Sequence, residues 1–385
     1  SNSRTGLAMR GIRQASFPHP FSLSTRMLAR KTKVLIVDDS VIVRKILSDI
    51  FATDPGIEVV GTAPDPYAAR DLILSLKPDV ITLDIEMPKM DGLTFLKLIM
   101  KHHPLPVIIL SSLSQRGSHV ALEALAAGAV DVMGKPSSSM VTKDMGLELI
   151  AKVKAASGAT RFSGSISAAA PAVRPATPAA PISAAAYYDP RQIILIGAST
   201  GGTEALKDVL ALLPANLPPI LIVQHIPAAF CGAFAKNLND VSSCEVREAR
   251  EGDILRRGMA LVAPGDFHMV LRKSGESGYG VSLKQGPKIH FCRPSVDVLF
   301  ESAAPLVGRR AVAGLLTGMG EDGAAGLLKL RQGGARTFVQ DQKTCVVYGM
   351  PRVAVEMGAV ESILPLDKIA EHIVKSAGAI AAKAS

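Results

Sequence analysis

Tryptophan is absent from the 385 residues, and no uninterrupted apolar run approaches the ~18 residues that a membrane-spanning helix needs. A membrane-embedded protein is thereby excluded. Cysteine is sparse: Cys231, Cys244, Cys292 and Cys345 stand far apart with no C-x-x-C pair. Neither a zinc cluster nor a disulfide scaffold fits that spacing, which suits a reducing cytoplasm. Acidic residues are missing from the first 33 positions, which carry seven basic ones. The formal net charge of +9 arises largely there, for the remainder holds 36 basic against 34 acidic residues. A nearly neutral folded part without tryptophan offers no broad basic footprint for nucleic acid. What is present is 48% hydrophobic and 20% charged, a globular composition, in a length that at roughly 150 residues per domain implies two or three domains.

Residues 1–31 read as a basic N-terminal tail, disordered or left over from cloning. The opening Ser-Asn-Ser has the look of a cloning remnant, and Met27 lies just before the first strand. Transit peptides share the composition, but no continuous apolar core follows the charges, as secretion would require. Residues 155–186 are the clearest boundary, because 26 of these 32 are Ala, Ser, Thr, Gly or Pro. Such a segment buries no core and reads as a flexible linker. The expected layout is a first domain at 32–154, a linker at 155–188 and a second domain at 189–385.

Both domains alternate strand and helix. In the first, Val34 to Val37 precedes a helix with Val43, Ile46, Leu47, Ile50 and Phe51 on one face, and apolar runs recur at 58–60, 80–83, 107–110 and 129–133. In the second, Ile193 to Ile196 precedes a helix with Leu206, Val209, Leu210 and Leu213 aligned, and 220–223 and 312–316 are further buried strands. Shorter Gly-punctuated runs between 245 and 291 are expected to be antiparallel. The fold class is α/β, as two doubly wound parallel-sheet domains.

In an open parallel sheet ligands gather outside the carboxyl ends of the strands. Asp38 and Asp39 follow the first strand, Asp84 ends the third, Ser111 follows the fourth and Lys135 the fifth. Three carboxylates at one place repel unless a hard cation sits among them, and oxygen ligands of this kind suit Mg²⁺. A cation-bound carboxylate can attack a phosphoryl group, with Ser111 and Lys135 at its oxygens. The plainer alternative makes Asp38-Asp39-Ser40 a helix cap and Lys135 a solvated charge. V-D-D-S, L-D-I-E-M-P-x-M-D-G and K-P resemble the receiver domain of bacterial response regulators. The resemblance implies Asp84 as phospho-acceptor, Asp38 and Asp39 as metal carboxylates, and Ser111 and Lys135 as phosphate-sensing groups. Val132 departs from it, standing where many receivers carry an aromatic reporter.

Small residues surround Ser199 in Ile196-Gly-Ala-Ser-Thr-Gly-Gly-Thr203, between a strand and a helix. A tight turn there lifts the hydroxyl above the sheet edge, and the helix N-terminus faces developing negative charge. A phosphate-binding loop has the same look, although neither G-K-[ST] nor G-x-G-x-x-G is complete. A nucleophilic serine needs a base. His225 ends a strand on the same rim, whereas His268 and His290 fall in the irregular insert. Asp322, after the run at 312–316, is the candidate to orient the imidazole, or else a turn residue before Gly323. The chain order Ser, His, acid differs from the α/β-hydrolase order of Ser, acid, His.

I-G-A-S-T-G-G-T-E-A, V-Q-H-I-P, R-P-S-V-D-V-L-F, L-T-G-M-G-E-D-G-A and Y-G-M-P-R, downstream of a receiver, resemble the CheB family of chemotaxis protein-glutamate methylesterases. The resemblance implies a Ser199, His225, Asp322 triad, with the Met319 N–H and Thr200 at the oxyanion. Cys292 departs from it, before Arg293-Pro294 where a polar residue is expected. It also implies methylated chemoreceptors as substrates, receptor glutamines as deamidation targets, a CheA-type histidine kinase as phosphodonor, Mg²⁺ in the receiver alone and a cytoplasmic location. The competing expectation, a response regulator whose output domain binds a ligand and catalyses nothing, makes Ser199 a binding residue.

Overall fold

The buried run Val34 to Val37 forms the last four of the six residues of the first strand, and later strands repeat its logic of aliphatics buried on both faces. The computed structural model describes residues 30–112, 114–136, 142–159, 188–275 and 278–382. Nearly all of the N-terminal tail, and the linker but for its ends, lie outside the described residues.

The first domain runs β1 (Thr32–Val37), α1 (Val41–Ala52), β2 (Ile57–Ala63), α2 (Pro66–Leu76), β3 (Val80–Asp84), α3 (Gly92–His102), β4 (Val107–Ser111), α4 (Gln115–Ala126), β5 (Asp131–Gly134) and α5 (Lys143–Ser157). The strands form one parallel sheet in the order β2-β1-β3-β4-β5. Strands β3 and β4 are buried at every position, as a sheet covered on both faces requires. Ser40, Asp65, Asp91, Ser114 and Thr142 cap the five helices, each accepting from a first-turn N–H. Helix α5 continues through Ser157, three residues beyond the boundary expected at 154, because its alanines are good helix formers and Ala156 is buried.

The second domain runs β6 (Ile193–Ala198), α6 (Gly202–Leu212), β7 (Ile220–Gln224), α7 (Ala228–Val241), β8 (Glu245–Glu248), β9 (Met259–Val262), β10 (His268–Ser274), β11 (Gly278–Lys284), α8 (Val296–Val307), β12 (Ala311–Leu315), α9 (Ala324–Gln332), β13 (Arg336–Gln340), α10 (Met350–Glu356), β14 (Ser362–Leu364) and α11 (Leu366–Ala382). Seven strands form a parallel sheet in the order β14-β13-β12-β6-β7-β9-β8. Among the described strands the antiparallel expectation for 245–291 holds for the β10-β11 hairpin, with isolated antiparallel bridges at Ile254–Gly280 and Ile289–Cys292. Strands β8 and β9 instead extend the parallel sheet, and all four residues of β9 are buried, the mark of an interior strand rather than of a half-exposed hairpin.

From Lys31 onward the chain forms one compact unit. Helix α4 lies against α7 and α6, with Ala121, Leu122 and Leu125 in the same apolar cluster as Phe230, Phe234 and Leu238. Ser118 Oγ donates to the Ala229 carbonyl at 2.9 Å. Val346 of the second domain packs against the receiver-side cluster of Leu47, Phe51 and Val153. No helix among the described residues is long and apolar enough to cross a membrane.

Candidate functional site

Asp38 and Asp84 leave adjacent strands of the first sheet, so their carboxylates meet at its rim. Ligand oxygens of Asp38, Asp39 and Asp84 lie within 4.8 Å of one another. Lys135 Nζ approaches Asp38 Oδ2 at 3.1 Å and Asp84 Oδ2 at 2.7 Å, and among the described residues neither oxygen has another hydrogen-bond partner. Asp38 and Asp84 are buried while Asp39 is exposed, which opens the cluster on one side. Burial, with Asp38 as a like charge, pushes the Asp84 carboxyl up to about 6 against the pull of Lys135. Hard oxygen donors, two of them with unused capacity, fit a Mg²⁺ ion. Ser111 reaches the same rim, but its hydroxyl donates to the Ser112 and Gly117 carbonyls, both at 3.2 Å, rather than into the acidic cluster.

The second sheet brings Ser199, His225 and Asp322 to one rim, after β6, β7 and β12. Gly201 (φ 78°) supplies the left-handed residue that turns β6 into α6 just beyond the serine. Ser199 N donates to Thr317 O at 3.0 Å, and Ser199 O accepts from Gly202 N at 2.7 Å and from Gln224 Nε2 at 2.8 Å. Gly318 lies so close that a Cβ there would stand 2.8 Å from Ser199 Cβ. The loop carrying Met319 is therefore pressed against the serine. Among the described residues the N–H groups of Thr200 and Met319 donate to nothing.

Asp322 is almost wholly buried and fully bonded. Its Oδ1 accepts from Ser295 Oγ at 2.7 Å and Asp297 N at 3.1 Å, and its Oδ2 from Val296 N at 2.6 Å and His225 Nε2 at 2.8 Å. Burial alone would raise this carboxyl, but His225, Ser295 and Val296 hold it below its ordinary value. The other ring nitrogen, Nδ1, lies 3.4 Å from Cys292 Sγ. Ser199 Oγ has no hydrogen-bond partner among the described residues, so the expected Ser199–His225 contact is not formed here. Burial would lower the His225 imidazolium, yet charge at Cys292 and the bond to Asp322 outweigh it and push the group up to about 10. The two competing histidines are used elsewhere. His268 bonds Pro287 O and Ser295 N, and His290 pairs with Asp297 and Glu321.

One contact joins the domains at this site. Thr200 Oγ1 donates to Asp131 Oδ2 at 2.5 Å, and Lys152 Nζ lies 2.8 Å from the same oxygen. Asp131, on β5, and Lys152, on α5, are both buried. Sequence reasoning missed this pair. Its signal was an acid interrupting the apolar run Val130 to Met133 and a lysine on the buried stripe Leu149, Ile150, Val153 and Ala156.

An acidic rim on one parallel sheet, and on a second a serine, histidine and aspartate whose neighbour Thr200 is hydrogen-bonded to Asp131 of the first domain, define a two-domain response regulator with the architecture of a serine hydrolase. Known relatives identify the family. The family model described as CheB methylesterase matches residues 194–373, and that described as response regulator receiver domain matches 34–145. A protein-glutamate methylesterase/protein-glutamine glutaminase 2 from Syntrophus aciditrophicus is 52% identical over 351 residues, covering 90% of this chain and 99% of its own length. Its counterpart from Pseudomonas aeruginosa is 49% identical over 346 residues, covering 89% and 96%. The solved CheB methylesterase catalytic domain of Thermotoga maritima is 37% identical, covers 48% of this chain and 97% of that one, and has a TM-score of 0.47. The chain belongs to the CheB methylesterase family.

Proposed function

We propose that the protein is a phosphorylation-activated protein-glutamate methylesterase of chemotaxis, and a protein-glutamine deamidase by the same route. Its substrates are methylated chemoreceptors, its phosphodonor is a CheA-type histidine kinase and its compartment is the cytoplasm, whose reducing conditions suit four free thiols. The observation that carries the reading is the buried His225–Asp322 pair beside Ser199, on a family relationship that spans both domains.

Ser199 Oγ attacks the γ-carbonyl of a glutamyl methyl ester while His225 takes the hydroxyl proton. The oxyanion that forms is met by the N–H groups of Thr200 and Met319. Collapse expels methanol, which leaves with the proton held by His225. Water then attacks the acyl-enzyme with His225 again as base, freeing the glutamate carboxylate and Ser199. A glutamine side chain offers the same carbonyl and loses ammonia instead. Asp322 holds the ring and balances its charge.

In the receiver, Asp38, Asp39 and Asp84 would hold Mg²⁺, which when bound neutralises charge on the phosphoryl oxygens. Asp84 is the phospho-acceptor, and Lys135 and Ser111 respond to the phosphoryl group, Ser111 after turning from its backbone partners. Methanol release from methylated receptor membranes, with and without a small phosphodonor, tests the reading together with a fluorophosphonate probe. Labelling at Ser199 and donor-stimulated methanol release are expected. An unlabelled Ser199 with retained nucleotide affinity would mean a binding module.

A further inference from the structure

Both nitrogens of His225 are taken, and neither by Ser199. With Nε2 on Asp322, the nitrogen left to receive the serine proton is Nδ1, and Cys292 Sγ stands on it at 3.4 Å. The backbone holds the sulfur in place. Ile289 and Cys292 exchange both backbone hydrogen bonds, at 3.0 and 2.8 Å, across a two-residue turn in which His290 (φ 50°) and Phe291 (φ 64°) are both left-handed. Such a turn ordinarily takes Asn or Gly, and bulky residues in it are uncommon. His290 ties the tip down, with Nδ1 3.1 Å from Glu321 and Nε2 3.4 Å from Asp297. Phe291 is 56% exposed, while Cys292 reaches the imidazole and is the one cysteine of the four that is not buried.

We propose that Cys292 is a positioning residue that competes with Ser199 for Nδ1 of His225, a brake on proton transfer that must let go before the serine can engage. This rests on Ser199 being the nucleophile. Every charged group around the ring bears on the competition. Asp322 faces it from the loop before α9 and Cys292 from the turn before α8. On the receiver side Lys152, paired with Asp131, lies near enough to respond to charge on the sulfur. Asp297 reaches the ring only through Asp322, to which its backbone N–H donates. With both neighbours in place the imidazole keeps its proton up to about 10, and an imidazolium is not a base.

The test uses the unphosphorylated full chain, with methanol release measured across pH. Activity needs neutral His225 and so rises with pH through its pKa. Removing the sulfur should move that rise to lower pH, and each unit moved raises the neutral-pH rate about ten-fold. Cys292→Ala is expected to be about ten-fold faster than wild type at pH 7, with Cys292→Ser, which keeps a hydrogen bond, between them. A second readout needs no turnover. In the Ser199→Ala chain, iodoacetamide alkylation of Cys292 at pH 7 should slow about ten-fold or more when His225→Gln is added. An unmoved pH profile in Cys292→Ala, or alkylation indifferent to His225, overturns the proposal. If Ser199→Ala still releases methanol, the nucleophile assignment is what fails, and alkylation still decides the Cys292–His225 contact.

Discussion

Ser199 is 7% exposed, and among the described residues it makes no hydrogen bond to the acidic rim or its sheet. Ser199→Ala should therefore lose ester hydrolysis by ~10³ or more while Asp84 still takes phosphate from a small donor. Methanol release and phosphate incorporation, measured on one preparation, check both halves. Residual turnover within about ten-fold of wild type would exclude Ser199 as nucleophile. His225 also makes a prediction about stability. Its folded pKa is raised from an ordinary 6.5 to about 10, so its contribution is fully present below about 6.5 and is lost as pH rises to about 10. Asp322 works in the opposite sense: its lowered pKa contributes above its ordinary 3.8 and is lost on acidification. Thermal unfolding between about pH 6 and pH 10 should show a decline that His225→Gln flattens. A decline of equal slope in the variant would assign it to other groups.

At the scale of elements, the turn from β6 to α6 and the loop after β12 lock the serine between them. A Cβ on Gly318 would stand 2.5 Å from Met350 Sδ and 2.8 Å from Ser199 Cβ. The thioether can swing aside, but the Ser199 backbone is pinned by Thr317 and Gln224. Gly318→Ala should thus push the Met319 loop away from the serine. A misplacement of about 1 Å costs on the order of 10² in rate, so activity should fall by about that factor in a protein that still folds. Unchanged turnover with an unchanged melting temperature would show that the Met319 N–H has no part in the chemistry.

For the whole molecule, the consequential feature is the polar seam through which the receiver reaches Thr200. Lys152→Met would leave the Asp131 carboxylate buried without its cation, held only by the Thr200 hydroxyl and the Val132 N–H. Breaking such a pair costs about 3–5 kcal/mol, and undocking relieves the cost by returning Asp131 to water. Recovering ~1.4 kcal/mol of it shifts the docking equilibrium about ten-fold. The unphosphorylated Lys152→Met chain is expected to hydrolyse ester faster than wild type and to gain less from phosphodonor. Asp84→Asn, which cannot take phosphate, should keep the basal rate and lose the stimulation. If Lys152→Met folds and is no faster, the seam does not restrain the enzyme. Val132 is buried where many receivers carry a mobile ring, and the neighbouring Asp131 is the residue through which the receiver meets Thr200.

The sequence alone determined what depends on local order along the chain. Runs of buried aliphatics ending in Asp38, Asp84, Ser199 and His225 dictate parallel strands with polar rims, because side-chain period and strand ends are local properties. The two α/β domains and the rim residues were legible for that reason. Tertiary structure decided what depends on meetings between distant segments. No local pattern says that Lys152 and Asp131, 21 residues apart, close on Thr200, or that Ser295 serves Asp322. Strand β9 joined the parallel sheet because burial on both faces, a property of the packed whole, overrode the glycines that made this stretch look like hairpins, and β8 pairs with it at the edge. Cys292 shows the division most clearly. Its position before Arg293-Pro294 departs from the family pattern in the sequence, but that its sulfur stands 3.4 Å from Nδ1 of His225 is decided only by a turn folding back, 67 residues beyond His225, onto the imidazole.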